Sequence, residues 1–457
     1  MTGFVDRKDE LDGLDRMYSE NDSALFILYG RRRIGKTELA EKFMKDKEGF
    51  YFLSRQQDLE LEAERFKNEF GREFDSFIES EQLENVIDEA VDKLEGKPVM
   101  VIDEFPYWIQ EDKSIVSIMQ GLWDEKLSEK EVFLILTGSS ISMMETEVLD
   151  YKSPLYGRRK GQLKLDELPL HTLNQFFPEK SFEEQLKIYG ATGMIPHYLK
   201  EFKPEKDFFQ NIEGTFLNDL HLLNEEAEIL LREELRKPNK YFNIMEAIID
   251  GKTKPNTISQ RVNIENTNIS KYLNKLEQLE LIKKESPITM SEKPKNRIYK
   301  VSDHYFRFWL RYVYKNQSDI QTQPEKAIQN IRNSHSKYMG EVFEEVCQKT
   351  VRKNREHTKV GRWWYKQHEI DIVALNEKEE KILFGECKWT NQKVGMKLLK
   401  DLEDKSEKVR WQNQESREEE YALFSKSGFE DKLKMEAEGR DDLQLYDLNT
   451  VEQVLAN

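Results

Sequence analysis

The chain has little with which to staple or anchor itself. Only two cysteines, Cys347 and Cys387, occur in 457 residues, which excludes a disulfide framework and a cysteine-based zinc site. Neither CxxC nor HExxH appears among the seven histidines. Apolar runs stay short: the longest, 24–29 and 132–136, fall far below the roughly 18 residues a membrane span needs. The opening MTGFVDRK has no apolar signal region, so a soluble, cytoplasmic protein without a membrane partner is expected. Positive charge is also in deficit. With 71 Lys and Arg against 87 Asp and Glu, the net charge is −16. Uniform electrostatic adhesion to nucleic acid is thereby excluded, and any such contact has to be a local patch.

What remains is ample for several cores. Seven Trp, 25 Phe and 18 Tyr accompany a charged fraction of 35%, and the length suggests roughly three domains at about 150 residues each. In the first third, continuous apolar runs (25–29, 99–102, 132–136) alternate with amphipathic stretches such as 37–45, where Leu39, Ala40, Phe43 and Met44 share one face. That is the pattern of βα units on a parallel sheet. Residues 1–165 are expected to form this core, and 166–237, helical and broken by prolines, a lid. A 238–305 module, a Gln/Asn-rich linker within 306–332 and an α/β domain over 333–457 follow.

The strongest motif is Gly30-Arg31-Arg32-Arg33-Ile34-Gly35-Lys36-Thr37, a full GxxxxGK[ST] between a buried strand and a helix. Gly30 and Gly35 let the backbone curl its N–H groups toward phosphates at a helix N-terminus. Lys36 is placed to reach the β- and γ-phosphates of ATP, and the Thr37 hydroxyl to ligate Mg²⁺. The strand 99–102 ends in Asp103-Glu104. Asp103 is expected near the Mg²⁺ shell, and Glu104 as the base that orients and deprotonates the attacking water. A third strand ends Thr137-Gly138-Ser139-Ser140, with Ser139 offered as a γ-phosphate sensor or as a cap of the next helix.

These motifs, with Phe4-Val5-Asp6-Arg7 before them and Ser153-Pro154-Leu155-Tyr156-Gly157-Arg158-Arg159 after, together resemble the archaeal ATPase family. That family is a branch of the AAA+-related STAND ATPases, and the resemblance covers about residues 1–235. It implies an ATPase whose Arg158 (or Arg159) is a finger completing an ATP site, in a neighbouring subunit of a homo-oligomer or after lid closure. It also implies that Gly193-Met194-Ile195-Pro196 is the lid's glycine-proline segment, with Pro196 near the nucleotide. Asp6 departs from the family's usual Gly, which puts the opening turn in question.

Residues 240–300 read as short helices and a hairpin, the layout of a winged helix-turn-helix. In 268–279, Ile269, Leu273 and Leu276 point inward, leaving Asn268, Lys271, Asn274 and Lys275 on other faces, where a recognition helix needs donors. Residues 251–300 hold eleven Lys and Arg against five Glu, a basic footprint suited to DNA phosphates. The alternative is a winged helix used only for protein packing.

Near the C-terminus, Glu369-Ile370-Asp371 opens one strand and Gly385-Glu386-Cys387-Lys388 closes another. Alternation puts Glu386 and Lys388 on one face, and Asp371 is expected opposite, so that two carboxylates could hold Mg²⁺. Asp371 with Glu386-x-Lys388, preceded by a helical Glu344 (Glu345 as the alternative), resembles the PD-(D/E)xK nuclease superfamily. The resemblance implies a restriction-endonuclease-like fold with Glu344, Asp371 and Glu386 as metal ligands. The other expectation is a domain of that fold which binds without cleaving.

Overall fold

The computed structural model describes residues 3–20, 22–235, 237–290, 297–353, 356–412 and 417–456. It divides into two units, residues 1–168 with 195–197, and 169–194 with 198–457. Among the described residues, no helix is long and apolar enough to cross a membrane.

The first unit is a parallel five-stranded sheet of the kind found in P-loop ATPases. Its strands are β1 (Ala24–Tyr29), β2 (Gly49–Leu53), β3 (Val99–Asp103), β4 (Phe133–Gly138) and β5 (Arg159–Lys164), ordered β2-β3-β4-β1-β5. β1, β3 and β4 are buried at every position, because helices cover both faces of the sheet. On the β2 side, Phe50 packs on Phe66 and Phe70 of the helix Leu59–Phe74, with ring centroids 4.9 and 5.2 Å apart. β4 follows β1 and β3 in sequence but lies between them in space. Its carboxyl end therefore sits between the P-loop and Asp103, where ligands of such sheets collect.

The second unit begins with helices, among them Phe182–Thr192 and Leu222–Glu234. Three more follow, Pro238–Ile249, Pro255–Val262 and Asn266–Gln278, the last burying Ile269, Leu273 and Leu276. An antiparallel pair, β6 (Ile282–Glu285) and β7 (Ile298–Val301), comes next. The Lys- and Pro-containing tip expected between them, 291–296, lies outside the described residues.

The Gln/Asn-rich stretch expected as a linker is instead helical, as Gln317–Thr322 and the start of the 30-residue helix Pro324–Lys353. Ala327, Ile328 and Ile331 begin a buried stripe that continues through Tyr338, Val342 and Phe343. Its polar composition belongs to the outer face of a helix. A second sheet follows, of β8 (Lys359–Tyr365), β9 (His368–Asn376), β10 (Lys381–Lys388), β11 (Glu418–Ser425) and β12 (Leu443–Asp447), ordered β12-β11-β10-β9-β8. β9 is antiparallel to β8 and β10, whereas β11 runs parallel to β10 and β12. β8 and β12 lie outside the strands expected from the sequence. β8 carries a register shift between Gly361 and Trp363, which breaks its alternation, and β12 is only five residues long.

Candidate functional site

The P-loop leaves β1 at Gly30, whose φ of 153° and close approach to the next strand's end both require glycine. A Cβ there would sit 2.5 Å from the Leu165 carbonyl oxygen. Arg33 (φ 66°) and Gly35 (φ 99°) complete the left-handed turns that curl the loop into the helix Lys36–Met44. Lys36 is 5% exposed, and its ammonium donates to the Gly30 and Arg31 carbonyls, each at 3.1 Å. It is thus folded over the loop where phosphates of a nucleotide belong. Arg32 donates to the Tyr107 hydroxyl at 3.2 Å, Ile34 is buried, and Arg31 is half-buried.

Asp103 ends β3 at 1% exposure. Its carboxylate accepts hydrogen bonds from Thr37 at 2.7 Å and from the hydroxyls of Tyr51 and Thr137. Burial and the Asp103 charge push the Tyr51 phenol far above its ordinary range, so it remains a donor. Glu104 takes the left-handed conformation, φ 55°, which a non-glycine residue adopts only under local constraint. Ser54 supplies part of that constraint by donating to the Asp103 and Glu104 carbonyls at 2.7 and 2.6 Å. The Glu104 carboxylate accepts from the Ser139 N–H at 3.0 Å and hydroxyl at 2.7 Å. Ser139 therefore touches the carboxylate rather than capping a long helix. A carboxylate and a hydroxyl so joined at the carboxyl edge can orient a water.

Asp6 and Arg7 both have positive φ, 58° and 68°, so the opening turn keeps a glycine-like geometry without glycine. Buried Arg7 donates to the Asp166 carbonyl at 2.6 Å and to the Ile34 carbonyl at 3.4 Å, tying that turn to the P-loop. Buried Pro196 opens the helix Pro196–Lys200, and beside it His197 Nε2 lies 2.5 Å from Arg33 Nη1. A guanidinium only donates, so the imidazole accepts through an unprotonated Nε2.

Arg158 is not brought to this loop. It pairs with Asp124 at 2.8 Å and donates to the Pro154 carbonyl at 3.0 Å. The following residue, Arg159, is opposite Leu25 at the start of β1. The P-loop leaves the other end of that strand, about 13 Å away at roughly 3.3 Å per residue. Within this chain Arg158 and the P-loop thus lie toward opposite ends of β1.

In the second unit, Glu344 on the Pro324–Lys353 helix, Asp371 on β9, and Glu386 and Lys388 on β10 form one cluster. The strand register pairs Gly385 with Ile372, which sets Asp371 beside Glu386. Asp371 is 6% exposed and accepts from the Cys387 N–H at 3.0 Å. Glu386, 5% exposed, accepts from Lys388 at 3.1 Å and bidentately from Lys405 at 3.1 Å. Burial and the neighbouring Asp371 charge raise the carboxyls of Glu344 and Glu386 above the usual range. Burial alone would depress the Lys388 ammonium, but the Glu386 and Asp371 carboxylates outweigh it and leave it raised. Glu345 faces elsewhere, paired with Arg307 at 2.8 Å and His304 at 3.2 Å. Among the described residues, no three His, Cys, Asp or Glu side chains stand arranged to hold a metal ion. Lys405 and Arg362, which approaches Glu344 at 3.6 Å, have no motif to announce them. Tyr51 and Ser54 likewise enter the first site from a neighbouring strand without any sequence signal.

The sheet order, the P-loop and the Thr37–Asp103 contact define a P-loop ATPase. A family model described as "ATPase domain predominantly from Archaea" matches residues 4–202. A second, described as "Archaea bacterial proteins of unknown function", matches residues 309–404. An uncharacterized protein of Methanocaldococcus jannaschii is 34% identical over 456 residues, covering 97% of this chain and 99% of its own. An uncharacterized ATP-binding protein of the same organism is 57% identical over 44 residues, 10% of this chain and 75% of its own. The Walker-type ATPase of Pyrococcus abyssi shares the fold at a TM-score of 0.50 and 20% identity, across 67% of this chain and 96% of that one. The chain belongs to the archaeal P-loop ATPase family.

Proposed function

We propose that this ATPase is a DNA-associated switch, coupled to a metal-dependent nuclease-like domain. In the first unit, Lys36 and the loop backbone would hold the ATP phosphates, and Thr37 and Asp103 would hold Mg²⁺. The ion supplies charge neutralisation at the phosphates. Glu104 accepts the proton of the attacking water, and Ser139 holds its carboxylate in line. Arg158 completes the site of a neighbouring subunit in a homo-oligomer.

In the second unit, the helices 238–278 with β6 and β7 are read as a winged helix-turn-helix. The exposed Lys271, Asn274 and Asn268 support a DNA-facing surface. The helix–strand–strand–strand–helix–strand order from 324 to 425 supports a PD-(D/E)xK-like domain. The observation that carries the nuclease reading is the meeting of Asp371, Glu386 and Lys388 on paired strands beside Glu344. A second reading, an ATP-regulated signalling or transcription-regulatory protein whose last domain binds without cleaving, is favoured by the two lysines that hold Glu386. Incubating the full chain with branched, linear and single-stranded DNA, with Mg²⁺ and with or without ATP, separates the two. Metal-dependent cleavage supports the nuclease, and binding without cleavage supports the regulator.

A further inference from the structure

An open cleft of about 880 Å³ lies along the Asn266–Gln278 helix, bounded by the end of Leu222–Glu234 and the start of Pro238–Ile249. Its size falls within the roughly 300–1,000 Å³ of small-ligand pockets. Tyr241 and Tyr272 line it together, with ring centroids 5.3 Å apart and planes at 63°. Both are half-buried, so part of each side chain reaches solvent. Lys237, Lys271 and Lys275 also line the cleft, against one acid among the described residues, Glu234. Lys240 lies beside Tyr272, its ammonium 3.5 Å from the hydroxyl and 5.7 Å from the ring centroid.

Aromatic rings beside cations and the Asn274 amide meet the needs of an unstacked nucleobase with its phosphates. The ring supplies a stacking platform, and the ammonium groups neutralise the backbone. A duplex offers no free base face to such a cleft, and a lone phosphate has no use for the tyrosines. We propose that this cleft is a binding site for single-stranded DNA, taking one base against Tyr272 with its flanking phosphates on Lys271 and Lys275. The inference rests on the DNA-associated reading and adds a strand preference to it.

The test uses the full chain, a single-stranded oligonucleotide carrying 2-aminopurine, and the same sequence as duplex. Binding of the single strand should quench the fluorescent base by stacking. Tyr272→Leu, which keeps apolar bulk but removes the π-face, should weaken single-strand binding roughly tenfold and abolish the quench. Duplex binding should stay within about twofold. Tyr272→Phe should behave as wild type, which guards against a folding artefact. Single-strand binding that Tyr272→Leu leaves unchanged, or an equal loss on both DNA forms, would overturn the cleft proposal while leaving the DNA reading intact. Absence of binding to either form overturns the DNA reading itself, and the proposal with it.

Discussion

The hydroxyl of Thr37 donates to Asp103 Oδ2 at 2.7 Å, joining the first turn of the P-loop helix to the end of β3 across 66 residues of sequence. β4, inserted between the two strands, adds Thr137 to the same carboxylate. The sheet order thus brings Thr37, Thr137 and Asp103 together at the carboxyl edge of the sheet.

Lys36→Ala should abolish ATP binding, because the phosphates lose the cation folded over their loop. Glu104→Gln should bind ATP normally yet turn over about 10²–10⁴-fold more slowly, since an amide cannot take the water's proton. Equilibrium binding and steady-state hydrolysis of the two variants check this. Turnover that survives Glu104→Gln would remove Glu104 from the role of base.

Arg158 gives a test of assembly. Its variant Arg158→Ala should bind ATP but hydrolyse little. A mixture of Lys36→Ala and Arg158→Ala chains should regain part of the activity, because each supplies what the other lacks. No recovery at any mixing ratio would remove the finger from Arg158 and leave it an ion-pair partner of Asp124.

The P-loop and the strand end beside it were legible because their residues are bound to fixed spacing: Gly30 to Thr37 is one loop, and Asp103-Glu104 ends one strand. Tyr51 and Ser54 were not, since each reaches the site by folding from another element and carries no local signature. At the second cluster, strand alternation placed Glu386 with Lys388, but Lys405 arrives from the helix Met396–Ser406. Helical spacing alone did not reveal that Glu344 and Glu345, neighbours in sequence, face different partners. The supposed linker failed for a compositional reason, because Gln and Asn on an outer face masked a buried stripe three and four residues apart.

His335 should make stability acid-sensitive. It is 4% exposed between Phe208 and Phe209, its Nε2 lacks a hydrogen-bond partner among the described residues, and burial with the Lys187 charge lowers its pKa to about 3. Arg332, 4.1 Å from the Phe209 ring, is a further cation beside the same aromatic pair. Between the ordinary value of 6.5 and about 3, the unfolded chain binds a proton that the folded chain refuses. The contribution is therefore whole above pH 6.5 and lost as pH falls. From pH 6.5 to 5 the loss amounts to about 2 kcal/mol. His335→Phe should flatten that slope in urea unfolding at the two pH values, and an unchanged slope would assign the acid sensitivity to other groups.

DNA affinity of the chain should fall steeply between about 50 and 200 mM salt as released counterions lose their advantage. Replacing Lys271 and Lys275 by Glu should weaken binding to every duplex sequence and lower the salt slope by about one unit for each phosphate left without its lysine. Binding that ignores both salt and these substitutions would make the helix 266–278 a packing element.

The nuclease reading stands on three side chains that meet from two paired strands. If Asp371 and Glu386 hold the metal ion, either change to alanine leaves too few oxygen ligands, and both variants should lose Mg²⁺- or Mn²⁺-dependent cleavage completely. Lys388→Ala should keep metal binding but cut about 10²-fold more slowly, since its charge acts on the phosphate and not on the ion. Lys405→Ala separates the alternatives further. Glu386 is held by Lys388 and Lys405 together, and freeing it from one should strengthen metal binding if the carboxylate is a ligand. ATP hydrolysis should continue in all four variants, because Lys36, Asp103 and Glu104 belong to the other unit. Cleavage that survives Glu386→Ala, or no cleavage of any DNA form with either metal, would leave the cluster as a buried ion-pair network, and the regulatory reading would take its place.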